Sequence, residues 1–382
     1  MLQSSKLFFS KRSSSVISNV SIPVPWGEIA GKKYERLSPV CSSPNKSSKS
    51  INKSLPFLCF HGWLDNANSF NKLIPKIQKR HPDLEFIAFD WPGHGLSSKR
   101  PDGTYNNITV YISDIYRILQ HLNLNDTGFN SIGHSMGGNA LVQFNCIFPN
   151  LNKNMIRLES DGFVTYKPDQ LRDHMVRSIQ QQVKFDNLLL NSSSKTDNKY
   201  TYEQAKARLS KGSSWHGQYI PASVVNDSVD ILLERGLKKL SNEFCPETNQ
   251  QLYNFARDIK VILPSIPAFS LADATELIKT GYNECKHNEL LIQATDNIWA
   301  QIGVKRNPDL WNIWGQNMPY LLYSQNENFQ MCCVEGNHHV HLNDPDVMTE
   351  KICDWIEDPG DRTGSIDDLE LRERRIPEEF RP

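Results

Sequence analysis

The 382-residue chain lacks an excess of charge of either sign: 42 Lys and Arg stand against 43 Asp and Glu, leaving a formal net charge of −1. So even a balance gives no global field for nucleic acid or for an anionic membrane surface, and neither partner is expected. No apolar run approaches the roughly 18 residues that a membrane span needs, so stable membrane insertion is not expected either. The first 27 residues lack the continuous apolar segment of a secretory signal; they carry Lys6, Lys11 and Arg12, many serines, and no acidic residue before Glu28. That composition suits a flexible tail or an organellar presequence, and the carboxyl end, EEFRP, is not a peroxisomal address. Cys-x-x-Cys pairs are also missing. The eight cysteines (41, 59, 146, 245, 285, 332, 333 and 353) include several in apolar settings such as PFLCFHG and FQMCCVEG, the pattern of buried, reduced thiols in an intracellular protein. The expected location is intracellular and cytoplasmic, with mitochondrial import as the alternative.

What the chain does have is material for a core, with 38% hydrophobic and 10% aromatic residues. Its length accommodates two to three average domains, or one large α/β domain with an insertion. Short apolar runs that stop at Gly or Pro turns recur: PFLCF (56–60) before His-Gly, LEFIAFD (84–90) before WPGHG, and the weaker GFNSIG (128–133). Such runs fit strands of a sheet covered on both faces. MIRLE (155–159), ELLIQAT (289–295) and FQMCCVE (329–335) are further candidate strands. Ile108, Ile112, Ile115, Leu119 and Leu122 have helical spacing; so do Ala140, Leu141, Phe144 and Phe148, and later Met348, Ile352, Trp355 and Ile356 behind Asp344 and Asp346. The alternation predicts an α/β fold with a mostly parallel central sheet and helices on both faces.

Between 159 and 289 that rhythm breaks. Ile231, Leu232 and Leu233, then Leu252, Phe255 and Ile259, follow helical rather than strand spacing. Helices inserted there predict a cap over the carboxyl edge of the sheet, where open α/β sheets bind ligands. The stretch CSSPNKSSKSINKSLP (41–56) reads as an expanded polar loop after two short strands, and NSSSKTDNKY (191–200) interrupts a helical region. The expected organisation is a flexible segment over 1–21, a first core part over 22–164 that includes a polar loop at 41–55, a helical cap over 165–285, a second core part over 286–357, and a charged tail over 358–382.

The chemistry centres on Gly133-His134-Ser135-Met136-Gly137, a Gly-x-Ser-x-Gly pattern with a predicted strand before it and a helix after it. Small residues on either side of the serine allow a tight turn where strand and helix backbones approach closely. Ser135 is therefore the candidate nucleophile. A serine hydroxyl needs a base, and GNHHVHLNDP (336–345) offers His338, His339 and His341 just past the last strand. His338, nearest the turn, is the candidate general base, while His341, beside Leu342 and Pro345, is a candidate for starting the final helix. A metal cluster is the rival explanation of close histidines. Their spacing lacks the i, i+4 arrangement of helical zinc sites and no acidic partner is obvious nearby, so no metal and no cofactor is expected. The oxyanion needs two backbone N–H donors: Met136, next after the serine, and Trp63, in His61-Gly62-Trp63 after the first core strand, are the candidates.

Taken together, HGWLDNANSF, FDWPGHGLSS, IGHSMGG and GNHHVHLNDP, in that order, resemble the α/β-hydrolase superfamily. The stretch from VPWGEIAGK through HGWLDNANSF resembles its serine hydrolase-like branch. The resemblance is close over 22–164 and 286–357 and weak across the cap. It implies the α/β-hydrolase fold with an inserted helical cap, and a Ser-His-acid triad. In most of the superfamily the acid is an Asp in a Gly-x-x-Asp turn after the strand before the last. Here ELLIQATDN has Ala294 in place of that glycine and Asn297 in place of that acid, with Asp296 one residue early. Some members, haloalkane dehalogenases among them, carry the acid after the preceding strand instead, which corresponds to Glu159, with Asp161 two residues on. Asp296 and Glu159 both remain candidates, and Asp161 a lesser one. The implied function is hydrolysis of an ester-type or related small acyl substrate through an acyl-enzyme, by a carboxylic ester hydrolase or a thioesterase-like enzyme. The alternative is a hydrolase-fold binding or receptor module of weak turnover. The expected partner is a small-molecule acyl substrate; oligomeric state is left open.

Overall fold

The structure is a computed structural model that describes residues 16–40 and 51–359, less 106, 167, 192–197, 212, 216–217, 221–223, 226, 265–268, 297–321 and 323–324. The polar loop at 41–50, the interior of the 191–200 stretch, Asn297 and the tail beyond 359 therefore lie outside the described residues.

Eight strands form the central sheet: β1 (Ile17–Val24), β2 (Gly27–Tyr34), β3 (Phe57–Phe60), β4 (Phe86–Phe89), β5 (Phe129–His134), β6 (Asn152–Leu158), β7 (Asn288–Asp296) and β8 (Phe329–Asn337). Their order across the sheet is β1-β2-β4-β3-β5-β6-β7-β8. The pairs β1/β2 and β2/β4 are antiparallel and the remainder parallel. Flexibility expected through residue 21 is corrected here, because β1 begins at Ile17 and pairs with β2. Only Ile22 of β1 is buried, so this edge strand is held by main-chain hydrogen bonds and leaves little hydrophobic pattern to read.

Among the described residues the α-helices are α1 (Leu73–Arg80), α2 (Ile108–His121), α3 (Met136–Ile147), α4 (Pro168–Asn191), α5 (Tyr202–Leu209), α6 (Asp227–Gly236), α7 (Leu271–Thr280), α8 (Val340–Asn343) and α9 (Pro345–Glu357). None of the described helices is long and apolar enough to cross a membrane. Because side chains alternate across a strand, the fully buried runs of β3 and β4 serve two cores. Leu58, Phe60, Ile87 and Phe89 pack with residues of α2 and α3 such as Ile115 and Phe144. Phe57, Cys59, Phe86 and Ala88 pack with Ile74 and Ile77 of α1 and Ile352 and Trp355 of α9. Of the described cysteines, Cys59, Cys146, Cys245, Cys285, Cys332 and Cys353 are buried thiols, whereas Cys333 is exposed.

Between β6 and β7 the chain makes α4, α5 and α6 and then turns back on itself. Leu252 and Phe255, expected in a helix, lie in a strand, Gln251–Phe255, paired antiparallel with Leu237–Phe244. The turn explains the difference. Asn249 adopts φ 53°, its N–H donates to the Cys245 carbonyl, and the Cys245 N–H donates to Gln250, so CPETNQ closes a hairpin. Phe255 then packs with Val229 and Leu232 of α6. Helix α7, inside the expected cap range of 165–285, puts Ala274 and Ile278 into the same cluster as Leu141 and Phe144 of α3. The insertion is tied down by buried polar contacts. Arg235 Nε donates to Asp90 Oδ2 at 2.8 Å, and the Asn66 and Asn68 amides donate to the Leu232 and Ile231 carbonyls.

Candidate active site

The Gly133–Gly137 pattern forms a strand–turn–helix. Ser135 follows β5 at once and caps α3, with φ 50° and ψ −115°, a strained backbone region that non-glycine residues occupy mainly at functional sites. The flanking glycines are required sterically. A Cβ on Gly133 would lie 2.6 Å from the Gly138 backbone, and one on Gly137 would lie 2.1 Å from the Phe60 carbonyl oxygen. The start of α3 thus presses against the end of β3, bringing Met136 close to the His61-Gly62-Trp63 turn. Met136 and Trp63 are both half-buried. The Trp63 indole donates to the Val261 carbonyl at 2.8 Å, so its side chain braces the segment that returns from the cap.

His338 lies in the turn between β8 and α8 and is buried. Its Nδ1 is 3.1 Å from Glu159 Oε2. Glu159 follows β6 directly in a left-handed conformation, φ 53°; its N–H donates to the Ile292 carbonyl, and its Oε1 accepts from the Ala294 N–H. The acid is therefore held between β6 and β7 by main-chain groups of the neighbouring strand. Burial pushes the Glu159 carboxyl up to about 8; the Ala294 amide pulls it down, and the charges of Asp161 and Asp296 add to the rise. Burial, aided by the neighbouring His134 and His339, lowers the His338 imidazole well below its usual range, so the ring is neutral near pH 7.

Asp296 is exposed at the end of β7, level with Asn337 of β8. Ile292 accepts from the Glu159 N–H, and the Ala294 N–H, two residues on, points to the same side of β7 and donates to the Glu159 carboxylate. Asp161 is buried and accepts from the Gln293 amide at 3.0 Å. His341 does not open the last helix, a role the chain leaves to Pro345 at the first position of α9. It is fully buried within α8, and its Nε2 lies 2.7 Å from Ser69 Oγ. His339 faces Asp65, with Nε2 3.2 Å from both carboxylate oxygens.

Two residues of this cluster, His134 and Asp65, carry no spacing signal in the sequence. His134 packs against three histidine rings, with centroids 4.8 Å from His338, 5.0 Å from His339 and 4.1 Å from His341. Its Nε2 is 2.8 Å from the His338 main-chain oxygen. Both residues lie inside conspicuous motifs, IGHSMGG and HGWLDNANSF, and that position was the only available signal.

Comparison with known proteins agrees with this architecture. The profile of the alpha/beta hydrolase fold family matches residues 56–257. A serine hydrolase-like protein of Danio rerio is 29% identical over 340 residues, covering 89% of this chain and 88% of that protein. Human serine hydrolase-like protein 2 is 26% identical, covering 90% and 95%. Among solved structures, a hypothetical protein of Pseudomonas aeruginosa superposes with a TM-score of 0.63 at 22% identity, covering 89% of this chain and 98% of that one. The thioesterase domain from the curacin biosynthetic pathway has a TM-score of 0.58 at 13% identity, covering 89% and 99%; at such identities the likeness is one of fold. With the profile matching more than half of its length, the chain belongs to the alpha/beta hydrolase fold family, and within it the chain is similar to the serine hydrolase-like proteins.

Proposed function

We propose that the protein is a serine hydrolase acting on an ester-type or related small acyl substrate, with Ser135 as nucleophile, His338 as general base and Glu159 as the acid behind it. The observation that carries this reading is the contact between Glu159 Oε2 and His338 Nδ1 beside a strained elbow serine. With Nδ1–H donated to Glu159, the free electron pair of His338 sits on Nε2, the atom that takes the Ser135 proton as Oγ attacks the acyl carbon. The carbonyl π electrons move to oxygen, where the N–H groups of Met136 and Trp63 stabilise the charge. Collapse of the tetrahedral species breaks the bond to the leaving group, which takes the proton from His338. Water, deprotonated by His338 in turn, attacks the acyl-Ser135 ester; collapse breaks the acyl–Oγ bond, Ser135 Oγ takes the proton back from His338, and the acid is released. A serine at the elbow, where epoxide hydrolases and dehalogenases of this fold use a carboxylate, supports acyl chemistry over theirs.

The rival reading, a hydrolase-fold binding module, drew on the blurred acid motif after β7. Glu159 offers a carboxylate that does not depend on that motif. Labelling with a fluorophosphonate probe tests the reading. The folded wild type labels and Ser135→Ala does not; an unlabelled wild type would sink the enzyme reading, and labelling that survives Ser135→Ala would remove Ser135 from the role.

A further inference from the structure

Beside the proposed triad, three side chains converge from distant parts of the chain: Asp65 from the loop after β3, His134 from the end of β5, and His339 from the turn before α8. Asp65 Oδ2 is 3.4 Å from His134 Nδ1 and 3.2 Å from His339 Nε2, and the donor atoms of all three lie within 4.8 Å of one another. A tetrahedral zinc ion with bonds of about 2.0–2.1 Å holds its ligand atoms roughly 3.3–3.4 Å apart. The two Asp65 separations match that spacing before any ion is supplied.

The second observation concerns the His134 ring, which is 1% exposed. Its Nε2 faces the His338 carbonyl oxygen at 2.8 Å. A carbonyl only accepts, so Nε2 carries the proton and the neutral ring keeps a lone pair on Nδ1. That Nδ1 is buried and makes no hydrogen bond, although the Asp65 carboxylate stands 3.4 Å away. Two electron-rich atoms face each other there, an arrangement that a cation between them relieves. An imidazolium at His134 would relieve it only by placing a charge among the rings of His338, His339 and His341.

The surroundings suit a metal. A ligating histidine ordinarily donates its other ring N–H to a carbonyl or carboxylate, which fixes the tautomer, and the His338 oxygen fills that place. Gly62 keeps the approach clear: a Cβ there would lie 2.7 Å from His134 Nδ1 and 3.3 Å from Asp65 Oδ2. Two imidazoles and one carboxylate favour zinc and its transition-metal neighbours over magnesium or calcium, which prefer all-oxygen shells.

We propose that Asp65, His134 and His339 form a binding site for one divalent transition-metal ion of the zinc class, its fourth position taken by water or an exogenous ligand. Of the histidine trio in GNHHVHLNDP only His339 takes part; the other ligands come from two other motifs, which is why spacing within that loop argued against a metal. The site is argued from donor geometry and does not depend on Ser135 being reactive.

The test uses the full chain, treated with chelator, dialysed, and titrated with Zn2+ in a calorimeter; Co2+ is the spectroscopic probe. One equivalent of Zn2+ binds, Co2+ gives the intense visible bands of a tetrahedral site, and excess Mg2+ does not compete. Asp65→Asn and His339→Ala each weaken binding by at least tenfold, whereas His121→Ala, which removes an exposed histidine elsewhere, changes nothing. Circular dichroism checks folding, and His339→Gln replaces His339→Ala should that variant unfold. No stoichiometric binding to the wild type, or equal binding to both ligand variants, overturns the proposal.

Discussion

Glu159 Oε2 lies 3.1 Å from His338 Nδ1, across 179 residues of sequence, with both side chains buried. The contact joins the end of β6 to the loop after β8, and it sets the first prediction. Glu159→Gln keeps an acceptor for the Ala294 N–H but cannot accept Nδ1–H from the ring as a carboxylate does. Turnover, or the rate of fluorophosphonate labelling, should fall by roughly 10³–10⁴-fold, the loss typical of removing a triad acid. Asp296→Asn, altering an exposed group, should fall by less than about threefold. The reverse ranking in labelling rate would exchange their roles.

The same carboxyl makes activity and stability depend on pH in opposite senses. Burial raises Glu159 from 4.5 to about 8. The groups facing it are His338, the Ala294 amide, Asp161 and Asp296. An acid raised on folding holds a proton that the unfolded chain gives up. Its contribution to stability is therefore complete below pH 4.5 and lost as pH climbs through about 8. The carboxylate that orients His338 becomes more populated over that range, so labelling should rise from pH 6.5 to 9. The melting temperature of Glu159→Gln should gain on that of the wild type over the same interval. A labelling profile that is flat or falls through pH 8 would count against Glu159 as the group that sets it.

A third prediction concerns the turn glycine. Gly137→Ala forces a Cβ to 2.1 Å from the Phe60 carbonyl oxygen, which nothing short of backbone movement relieves. Chemical denaturation should show a loss of about 2 kcal/mol or more. Labelling of Ser135 should drop with it, since the elbow itself must shift.

The insertion between β6 and β7 is anchored by the pair of Arg235 and Asp90, 2.8 Å apart, 8% and 0% exposed. Asp90 also accepts from the Ala67 and Leu96 N–H groups. Arg235→Ala leaves that carboxylate without its cation and should cost about 3–5 kcal/mol in thermal or urea unfolding. Arg235→Met, which keeps much of the packed volume, leaves the same charge unpaired and should recover only the packing share of that loss. Loss of less than about 1 kcal/mol in Arg235→Ala would show that the insertion is held by other contacts.

Much of this architecture was legible because it rests on local rules. PFLCF and LEFIAFD became β3 and β4, since a short apolar run between Gly and Pro turns has few options but a doubly covered strand. The stripes at 108–122 and 348–356 became α2 and α9, and Gly-x-Ser-x-Gly became the elbow. Leu252 and Phe255 misled, because a spacing of three suits one face of a helix, whereas the strand that forms puts them on opposite faces, both half-buried, and the CPETNQ turn decided between the two.

The sequence by itself determined the alternation of strand and helix, the elbow at Ser135 and the histidine-rich loop after the last strand, all of which follow from short-range periodicity and the steric needs of tight turns. Only the tertiary structure decided which carboxylate meets His338. Glu159 and Asp296 lie at the ends of adjacent strands, and the pairing of β7 with β6 is what aims the Ala294 amide at Glu159 rather than at Asp296. The meeting of Asp65, His134 and His339 is likewise beyond any local pattern. His339 is 274 residues from Asp65, and only the stacking of β3, β5 and β8 ends along one edge of the sheet brings their donor atoms together.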